Sequence, residues 1–377
     1  MASTAIPTRK PHIPKRKPTT RLTQGAPLSH QTDLKQLICT LRNTNHHTTT
    51  PLTPSHLFTG VGSDEAIDLL LRCFCIPRES QLLICPPTYG MYSVAAQVND
   101  TPVVSIPQLL NPFRLDIPAI HAALSAAPQR IRLMYLTSPG NPTGSLISKG
   151  AVLSLLQHPT WNGILVVDEA YIDFADPGSS LAQLVTQYPN LVVMQTLSKA
   201  FGLAGVRLGF AFAAPEVAAL LNAVKAPYNV SSLASAVGRL ALRPDSVAVM
   251  ERHRASIVAQ RDRLVQALAR VPGLGPVRGG TASNFLLVPV LSGGEEAAMG
   301  SDGQGPRPCN EVALACYEAL AGTKRVVVRF RGKEYGCEGC LRITVGTEEE
   351  NDRLLAELPE VLKGICRASG KRDCTKE

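Results

Sequence analysis

The chain has 377 residues, of which 45% are hydrophobic and 18% charged, enough for one large or two medium domains with a substantial core. It contains no apolar run near the roughly 20 residues that a membrane-spanning helix needs, so no membrane span is expected. The formal net charge is +8, from 38 Lys and Arg against 30 Asp and Glu. Such a surplus can indicate nucleic-acid binding when it is spread over a folded surface.

Most of this positive surplus lies at the N-terminus. Residues 1–32 contain six Lys and Arg and no acid, whereas the other 345 residues carry 32 basic and 30 acidic residues. Rich in Pro, Ser and Thr, residues 1–32 are predicted to form a basic, disordered tail. Because the rest is nearly neutral, no nucleic-acid partner is expected. An acid-free start that contains Arg can be a mitochondrial transit peptide, but this one lacks the apolar stripe of such a helix, contains prolines, and has no apolar core of a signal peptide. A cytoplasmic protein is therefore predicted, with mitochondrial import as the alternative.

Short apolar runs alternate with helix-like segments through the centre of the chain. The runs of strand length are residues 81–84, 103–106, 133–136, 164–167, 191–194 and 208–212. Their apolarity is continuous rather than alternating, which is typical of strands buried on both faces. We therefore predict an α/β fold with a mostly parallel central sheet flanked by helices.

A division into two domains follows from the second half of the chain. A long amphipathic helix is predicted at residues 245–271. It would link a large domain at 33–244 to a smaller C-terminal α+β domain at 272–377. Within the latter, residues 292–308 are rich in Gly, Ser, Asp and Pro and are predicted to form a surface insertion.

The ten cysteines do not indicate a metal site. Most lie in apolar stretches, as reduced core cysteines of an intracellular protein do. Cys337 and Cys340 form an isolated C-x-x-C, but a structural zinc site needs four ligands and no second pair follows. No metal is predicted.

Two segments resemble ligand-binding loops. The segment GVGSDE, residues 60–65, precedes a helix predicted at 64–74, but Glu65 stands where a dinucleotide fingerprint needs its third glycine. The amides around Ser63 and Asp64, with Ser63 as N-cap, would suit a phosphate, although an ordinary helix cap explains them equally. In PPTYGMY, Tyr89 either offers its ring face to a planar group or packs within a turn.

Polar side chains also follow three of the predicted strands. SPGNPTG, residues 138–144, presents Asn141 at a strand's carboxyl end, where open α/β sheets bind ligands. Asp168 ends an apolar run and Tyr171 follows it. A carboxylate at the end of a buried strand needs a cationic or hydrogen-bonding partner. The alternatives are a structural turn for SPGNPTG and a helix cap for Asp168.

Lys199 follows another buried strand, in small and apolar surroundings. Burial would disfavour its ammonium form, as an amine nucleophile or Schiff-base lysine requires, whereas an isolated lysine is usually solvated. Ser198 and Arg207 would together hold a phosphate. Taken together, the pattern calls for a planar ring with a phosphate, an aldehyde for Lys199 and a ring nitrogen for Asp168. Pyridoxal phosphate (PLP) has all of these groups.

Several motifs occur in a fixed order along the chain: GSDEAIDLLLR, PPTYGMY, SPGNPTG, VVDEAYIDF, TLSKAFGLAGVRLGF, APYNVSS and CLRITVGT. In these motifs, residues 33–362 resemble the aspartate aminotransferase superfamily, which is fold type I of the PLP enzymes, and within it the histidinol-phosphate aminotransferase family. The resemblance implies a large PLP-binding domain, a smaller C-terminal domain and a homodimer.

The resemblance also implies roles for individual residues. Lys199 would form the Schiff base with PLP, Asp168 would pair with the ring nitrogen, and Tyr89 would stack on the ring. The remaining contacts would be Asn141 and Tyr171 to the phenolic oxygen, Ser63, Asp64, Ser198 and Arg207 to the phosphate, Arg342 to the substrate anion, and Arg329 to the substrate phosphate. Both substrates would be small anions.

The implied reaction transfers an amino group between L-histidinol phosphate and 2-oxoglutarate in histidine biosynthesis. Two alternatives remain open: a sister PLP aminotransferase for aromatic amino acids or another phosphorylated amine, and a PLP-binding scaffold of weak activity. The second arises because the family's Asn-Glu-Asn-Pro stretch is absent. In addition, Ala26 stands about where the family has a tyrosine that reaches the partner subunit's cofactor phosphate.

Overall fold

The computed structural model describes residues 29–44, 50–292 and 306–369. Ala26, nearly all of the predicted tail at 1–32, and most of the predicted insertion at 292–308 lie outside the described residues. None of the helices within the described ranges is long and apolar enough to cross a membrane.

The described part of the chain forms two sheets, and the larger has seven strands in the order β1-β7-β6-β5-β4-β2-β3. The strands are β1 (Leu57–Val61), β2 (Gln81–Ile84), β3 (Val103–Ser105), β4 (Ile131–Thr137), β5 (Ile164–Asp168), β6 (Leu191–Thr196) and β7 (Leu208–Ala213). Strands β3, β2, β4, β5 and β6 pair in parallel, whereas β7 is antiparallel to both β6 and β1. The prediction of a mostly parallel sheet is confirmed.

Both faces of this sheet are buried, which explains the continuous apolar runs. Val166 packs in the core on one face, and its neighbour Val167 packs in the core on the other, as the two-residue period of a strand requires. Among the described residues, seven helices surround the sheet: α1 (Ser29–Asn43), α2 (Gly62–Phe74), α3 (Met91–Val98), α4 (Ile117–Ala126), α5 (Lys149–Leu156), α6 (Pro215–Val224) and α7 (Ser232–Ala241). Helices α2, α3 and α6 cover one face, and α1, α4 and α5 the other.

The smaller sheet has three antiparallel strands in the order β8-β10-β9. The strands are β8 (Phe285–Pro289), β9 (Arg329–Phe330) and β10 (Cys340–Thr344), and the helices around them are α8 (Pro244–Leu268), α9 (Asn310–Gly322) and α10 (Glu348–Ser369). A separate apolar core includes Leu264, Leu286 and Leu341. The domain boundaries proposed from the sequence stay a prediction.

Some elements differ from the sequence prediction. Helix α8 ends at Leu268 rather than at residue 271, because the chain turns there and the Val271 amide donates to the Leu268 carbonyl. Strand β9 covers only Arg329–Phe330 of the β-rich run at residues 325–330. Strand β1 was not anticipated before GVGS, because a five-residue run interrupted by Thr59 and Gly60 gives a weak pattern.

Helix α8 is tied to both sheets by Arg261, which is buried. Its Nη1 donates to the Phe174 carbonyl at 3.3 Å and to the Ser283 carbonyl at 3.5 Å. Phe174 follows strand β5, and Ser283 precedes β8. This guanidinium therefore helps to fix the smaller sheet next to the carboxyl edge of the larger one.

Candidate active site

A concave pocket of about 160 Å³ lies at the carboxyl ends of β4, β5 and β6. All nine residues that were predicted to hold PLP or its phosphate line this pocket: Ser63, Asp64, Tyr89, Asn141, Asp168, Tyr171, Ser198, Lys199 and Arg207. A larger cavity of about 730 Å³, lined by Arg72, Arg130 and Arg132 among others, contains none of them. The predicted cofactor-binding residues therefore identify the smaller pocket as the candidate active site. The part of the chain that is described shows no cluster of three or more potential metal ligands.

Asp168 is the last residue of β5 and is 3% exposed. Its Oδ2 accepts a hydrogen bond from the Tyr92 hydroxyl at 2.8 Å, and its Oδ1 accepts one from the Ala170 amide at 3.0 Å. Burial raises the pKa of this carboxyl to about 6, although both donors act in the opposite direction. The carboxylate is thus held rigidly at the pocket wall.

The neighbouring acid, Glu169, lies outside the pocket and has a structural environment. Its carboxylate accepts hydrogen bonds from the Ser180 hydroxyl at 2.6 Å, the Leu181 amide at 2.6 Å and the Gln195 side-chain amide at 2.7 Å. Burial raises the pKa of Glu169 to about 7. Gln195 in turn accepts from Arg42 of α1 at 2.6 Å, so the second carboxylate of the DE pair anchors a helix.

Lys199 is exposed, so the expectation of a buried lysine was wrong. The residue lies in a turn beyond β6, where the Gly202 amide donates to the Lys199 carbonyl at 2.9 Å. This turn takes the side chain to the mouth of the pocket instead of the core. The Nζ atom lies 5.2 Å from the centroid of the Tyr171 ring, so its amine is placed at the predicted site.

The smaller sheet reaches the pocket through Arg342 and Phe285. The Arg342 Nη1 donates to the Asn141 Oδ1 at 2.6 Å, and its guanidinium carbon lies 4.9 Å from the Phe285 ring centroid. Phe285 packs edge-on against Tyr171, with ring centroids 5.0 Å apart. Phe285 was not predicted, because an apolar residue that starts a strand looks like any other core residue.

Arg342 retains unused capacity to bind an anion. Its Nε is buried and has no hydrogen-bond partner among the described residues. Burial lowers the pKa of its guanidinium, with Arg331 and Arg329 acting in the same direction. A desolvated cation with an unpaired donor is a favourable site for a carboxylate or phosphate.

Arg329 lies directly opposite Arg342 in the pair of β9 with β10, so the two side chains project from the same face of the sheet. Arg331, which is close in sequence, is ion-paired with Glu334 at 2.8 Å. The structure therefore brings Arg329 next to Arg342, although it does not line the pocket itself.

The opposite end of the pocket is built on the start of α2. Asp64 forms an ion pair with Arg207, with Oδ2 and Nη2 3.2 Å apart, and accepts from the Tyr89 hydroxyl at 3.3 Å. Ser63 does not cap the helix: the N-cap is Val61, and no side chain caps it. Ser63 instead lies in the first turn, because the helix begins at Gly62, two residues before the predicted start at residue 64.

Two glycines allow this helix start to approach β7. A Cβ on Gly209 would collide with the Ser63 nitrogen and the Gly62 backbone, and one on Gly62, which has φ +72°, would lie 2.6 Å from the Arg207 Nη2. The Gly62 amide donates to the Arg207 carbonyl at 2.9 Å. First-turn amides and a guanidinium are thus close together, the combination that binds phosphate.

The APYNVSS motif acquires a positioning role in the structure. Asn229 donates from Nδ2 to the Glu65 Oε2 at 2.9 Å and to the Thr59 carbonyl at 3.0 Å. The same Glu65 oxygen accepts from the Val61 amide at 2.6 Å. These contacts fix the turn from β1 into α2. The contact of Asn229 with Glu65 was not predicted, because no sequence pattern links two residues 164 positions apart.

The SPGNPTG loop is held by backbone contacts to the segment before β8. The Thr143 and Gly144 carbonyls accept hydrogen bonds from the Gly280 amide at 2.9 Å and the Ala282 amide at 3.0 Å. Gly144 has φ +65°, and a Cβ there would lie 2.5 Å from the Gly280 carbonyl oxygen. The glycine thus permits the close approach that fixes Asn141.

The sequence and the fold match known proteins. The sequence pattern of the family described as aminotransferase class I and II matches residues 10–358, and the chain belongs to this family. Within it, the chain is 49% identical to the histidinol-phosphate aminotransferase of Candida maltosa over 343 residues, covering 90% of this chain and 85% of that protein. It is 47% identical to the one of Schizosaccharomyces pombe over 338 residues, covering 89% and 85%.

Solved structures give the same fold. The histidinol-phosphate aminotransferase of Sinorhizobium meliloti, solved in complex with pyridoxal-5'-phosphate, superposes with a TM-score of 0.74 at 23% identity, over 89% of this chain and 82% of that one. The family and the fold type predicted from the motifs are confirmed.

Proposed function

We propose that the chain catalyses the PLP-dependent transfer of an amino group between L-histidinol phosphate and 2-oxoglutarate, a step of histidine biosynthesis. The observation that carries this proposal is the convergence of Asp168, Lys199, Asn141 and Arg207 on one pocket. Relatives that carry this activity in their names are up to 49% identical over 85% of their length.

The residues fit the cofactor. A buried carboxylate at the pocket wall, that of Asp168, suits a protonated ring nitrogen, and the start of α2 with Arg207 and Ser198 suits a phosphate. When bound, PLP supplies an electron sink for the charge that develops when the substrate carbon loses its proton. Lys199 is the amine at the pocket, and it would move that proton as general base and then as general acid.

Asn141 is oriented for its proposed contact with the phenolic oxygen of PLP. Because its Oδ1 accepts from Arg342, its side-chain NH₂ group is left to donate. The Tyr171 ring, 8% exposed and packed against Phe285, would provide the second contact. Tyr89, hydrogen-bonded to Asp64, would stack on the ring.

Arg342 and Arg329 would bind the anionic groups of both substrates. Each substrate carries at least one carboxylate or phosphate, so the same guanidinium groups serve in both half-reactions. The unpaired Nε of Arg342 supports this role.

A steady-state comparison of amino donors tests this proposal. With 2-oxoglutarate as acceptor, L-histidinol phosphate should give a kcat/KM at least about tenfold above that of any aromatic amino acid, because a phosphate contact strongly favours the matching substrate. A preference for an aromatic amino acid would indicate the sister activity. Absence of turnover with every donor, despite bound PLP, would indicate a scaffold.

A further inference from the structure

Tyr92 is a fully buried tyrosine at the start of α3, and the proposed mechanism does not use it. Its ring stacks on that of Tyr135, with centroids 4.7 Å apart and planes 9° from parallel. The ring of Tyr89, which lines the pocket, packs edge-on against it at 5.6 Å. These contacts fix the Tyr92 ring and therefore the position of its hydroxyl.

The hydroxyl belongs to a chain of three hydroxyl groups that ends on Asp168. The Tyr92 oxygen lies 2.8 Å from the Asp168 Oδ2 and 2.9 Å from the Thr137 Oγ1, which lies 3.0 Å from the Thr88 Oγ1. An ionised carboxylate can only accept, and each hydroxyl has a single proton to donate. The direction follows: Thr88 donates to Thr137, Thr137 donates to Tyr92, and Tyr92 donates to Asp168.

The hydroxyl chain strengthens the hydrogen bond that Tyr92 donates to Asp168. A hydroxyl that accepts one hydrogen bond becomes a better donor in the next, and the chain is shielded from water because Tyr92, Thr137 and Asp168 are all buried. Burial also raises the pKa of Tyr92 well above its usual value, so its hydroxyl keeps its proton at every working pH. Oδ2 of Asp168 therefore always faces a donor.

We propose that Tyr92 is a positioning residue that, through the Thr88–Thr137–Tyr92 hydroxyl chain, holds Asp168 in its ionised form and in a fixed orientation toward the cofactor's ring nitrogen. The inference rests on the proposed function for what Asp168 contacts. The coupling between Tyr92 and Asp168 is independent of that function, because both groups belong to this chain. Without the Tyr92 hydroxyl, a buried carboxyl would take up a proton at higher pH and no longer attract a protonated ring.

The chain offers a matched control for this inference. Tyr135 is as buried as Tyr92, and the two rings stack on each other. Its hydroxyl, however, donates to the Ile67 carbonyl at 2.8 Å. Tyr92→Phe and Tyr135→Phe each remove one buried hydroxyl and the hydrogen bond that it donates, so this part of a structural effect is common to both, while Tyr92→Phe also removes the bond accepted from Thr137. Only Tyr92→Phe removes a donor from Asp168.

The first measurement is the pH midpoint of the Asp168 carboxyl carbon in the cofactor-free protein, followed by NMR after carbon-13 labelling of aspartate and assigned with Asp168→Asn. Lys199 and Asp64 also act on this carboxyl, and both remain in each variant. We expect the midpoint to rise in Tyr92→Phe and to stay at the wild-type value in Tyr135→Phe. Equal midpoints in all three proteins would overturn the proposal.

The second measurement is the dissociation constant of PLP, which we expect to rise about tenfold or more in Tyr92→Phe relative to Tyr135→Phe. Equal weakening in both would also overturn the proposal.

If Tyr92→Phe does not fold, Thr137→Val provides a second test. It removes the hydroxyl that donates to Tyr92, and it should also raise the pH midpoint of the Asp168 carboxyl, by a smaller amount. A wild-type protein that fails to transaminate would contradict the proposed function, while the carboxyl midpoints would still test the coupling.

Discussion

Asp168 has a buried carboxyl that the fold itself makes unfavourable to ionise. Burial raises its pKa from 3.8 to about 6, so the ionised form is less stable in the folded chain than in the unfolded chain. The protonated carboxyl therefore contributes to the free energy of unfolding. This contribution is fully present below the pKa that Asp168 has in the unfolded chain, and it is lost as the pH rises through about 6. At neutral pH, the ionised Asp168 thus lowers the free energy of unfolding.

Asp168→Asn removes this pH-dependent cost. In the cofactor-free protein, the free energy of unfolding of the variant relative to wild type should increase by about 1 kcal/mol between pH of about 5 and about 8. Urea unfolding at both pH values measures it. Glu169 titrates in both proteins, so its contribution cancels. A difference that does not change with pH would show that Asp168 titrates normally.

Arg207 should contribute to cofactor affinity through its charge. Arg207→Ala is expected to raise the dissociation constant of PLP by about 10- to 100-fold, because it removes a charge-assisted hydrogen bond to phosphate. Arg72 offers a control, since its 3.2 Å ion pair with Asp68 and its exposed side chain resemble the pair of Arg207 with Asp64. Arg72→Ala should leave the affinity unchanged, and equal effects would argue against phosphate binding by Arg207.

At the scale of the element, the contact of α2 with β7 depends on the absence of a side chain at Gly209. A Cβ there would meet backbone atoms of Gly62 and Ser63, which cannot move as a side chain does. The start of α2 would shift away from Arg207, and both stability and phosphate binding would suffer.

Gly209→Ala should therefore lower the free energy of unfolding by about 1 to 3 kcal/mol and weaken PLP binding. Gly205→Ala is the matched control, because a Cβ at Gly205 would meet nothing within 4 Å. Thermal unfolding and PLP titration of the two variants measure the difference. Equal behaviour would show that the helix start is not constrained by this contact.

Much of the element arrangement was predictable, because strands buried on both faces leave continuous apolar runs and ligand-binding loops leave dense glycine, proline and polar patterns. Strand β1 and the length of β9 were not, because short or interrupted strands are specified mainly by their neighbours. Nine of the pocket residues could be predicted one by one, whereas Thr137 and Thr196, at the ends of β4 and β6, were not. Phe285, Tyr92 and Glu65 could not, since each acts through a contact distant in sequence.

At the scale of the whole molecule, helix α7 leaves an apolar face uncovered. Leu233 is 78% exposed and Leu240 53%, and with Val237 they recur along one side of the helix. Tyr228, also 78% exposed, precedes the helix. Exposed apolar patches of this kind mark interfaces, and we propose that this face of α7 forms part of the interface of the homodimer that the sequence resemblance implies.

Leu233→Glu is expected to shift the protein from dimer to monomer at micromolar concentration, since a charge on the apolar face would be buried without a partner. Val98 is 77% exposed on α3, away from α7, so Val98→Glu is the matched control and should remain dimeric. Sedimentation velocity measures both. A wild-type monomer, or a dimer that persists in Leu233→Glu, would refute this interface.

The central claim is that this pocket carries PLP-dependent transamination with Lys199 as its catalytic residue. The most direct measurement is the visible absorbance of the PLP-loaded protein during one half-reaction with L-histidinol phosphate. We expect the band to disappear on addition of this donor and to return with 2-oxoglutarate, and we expect no such cycle in Lys199→Ala, because the amine that would move the proton is absent. A wild-type band that persists with the donor, or a Lys199→Ala protein that responds as wild type does, would contradict the account.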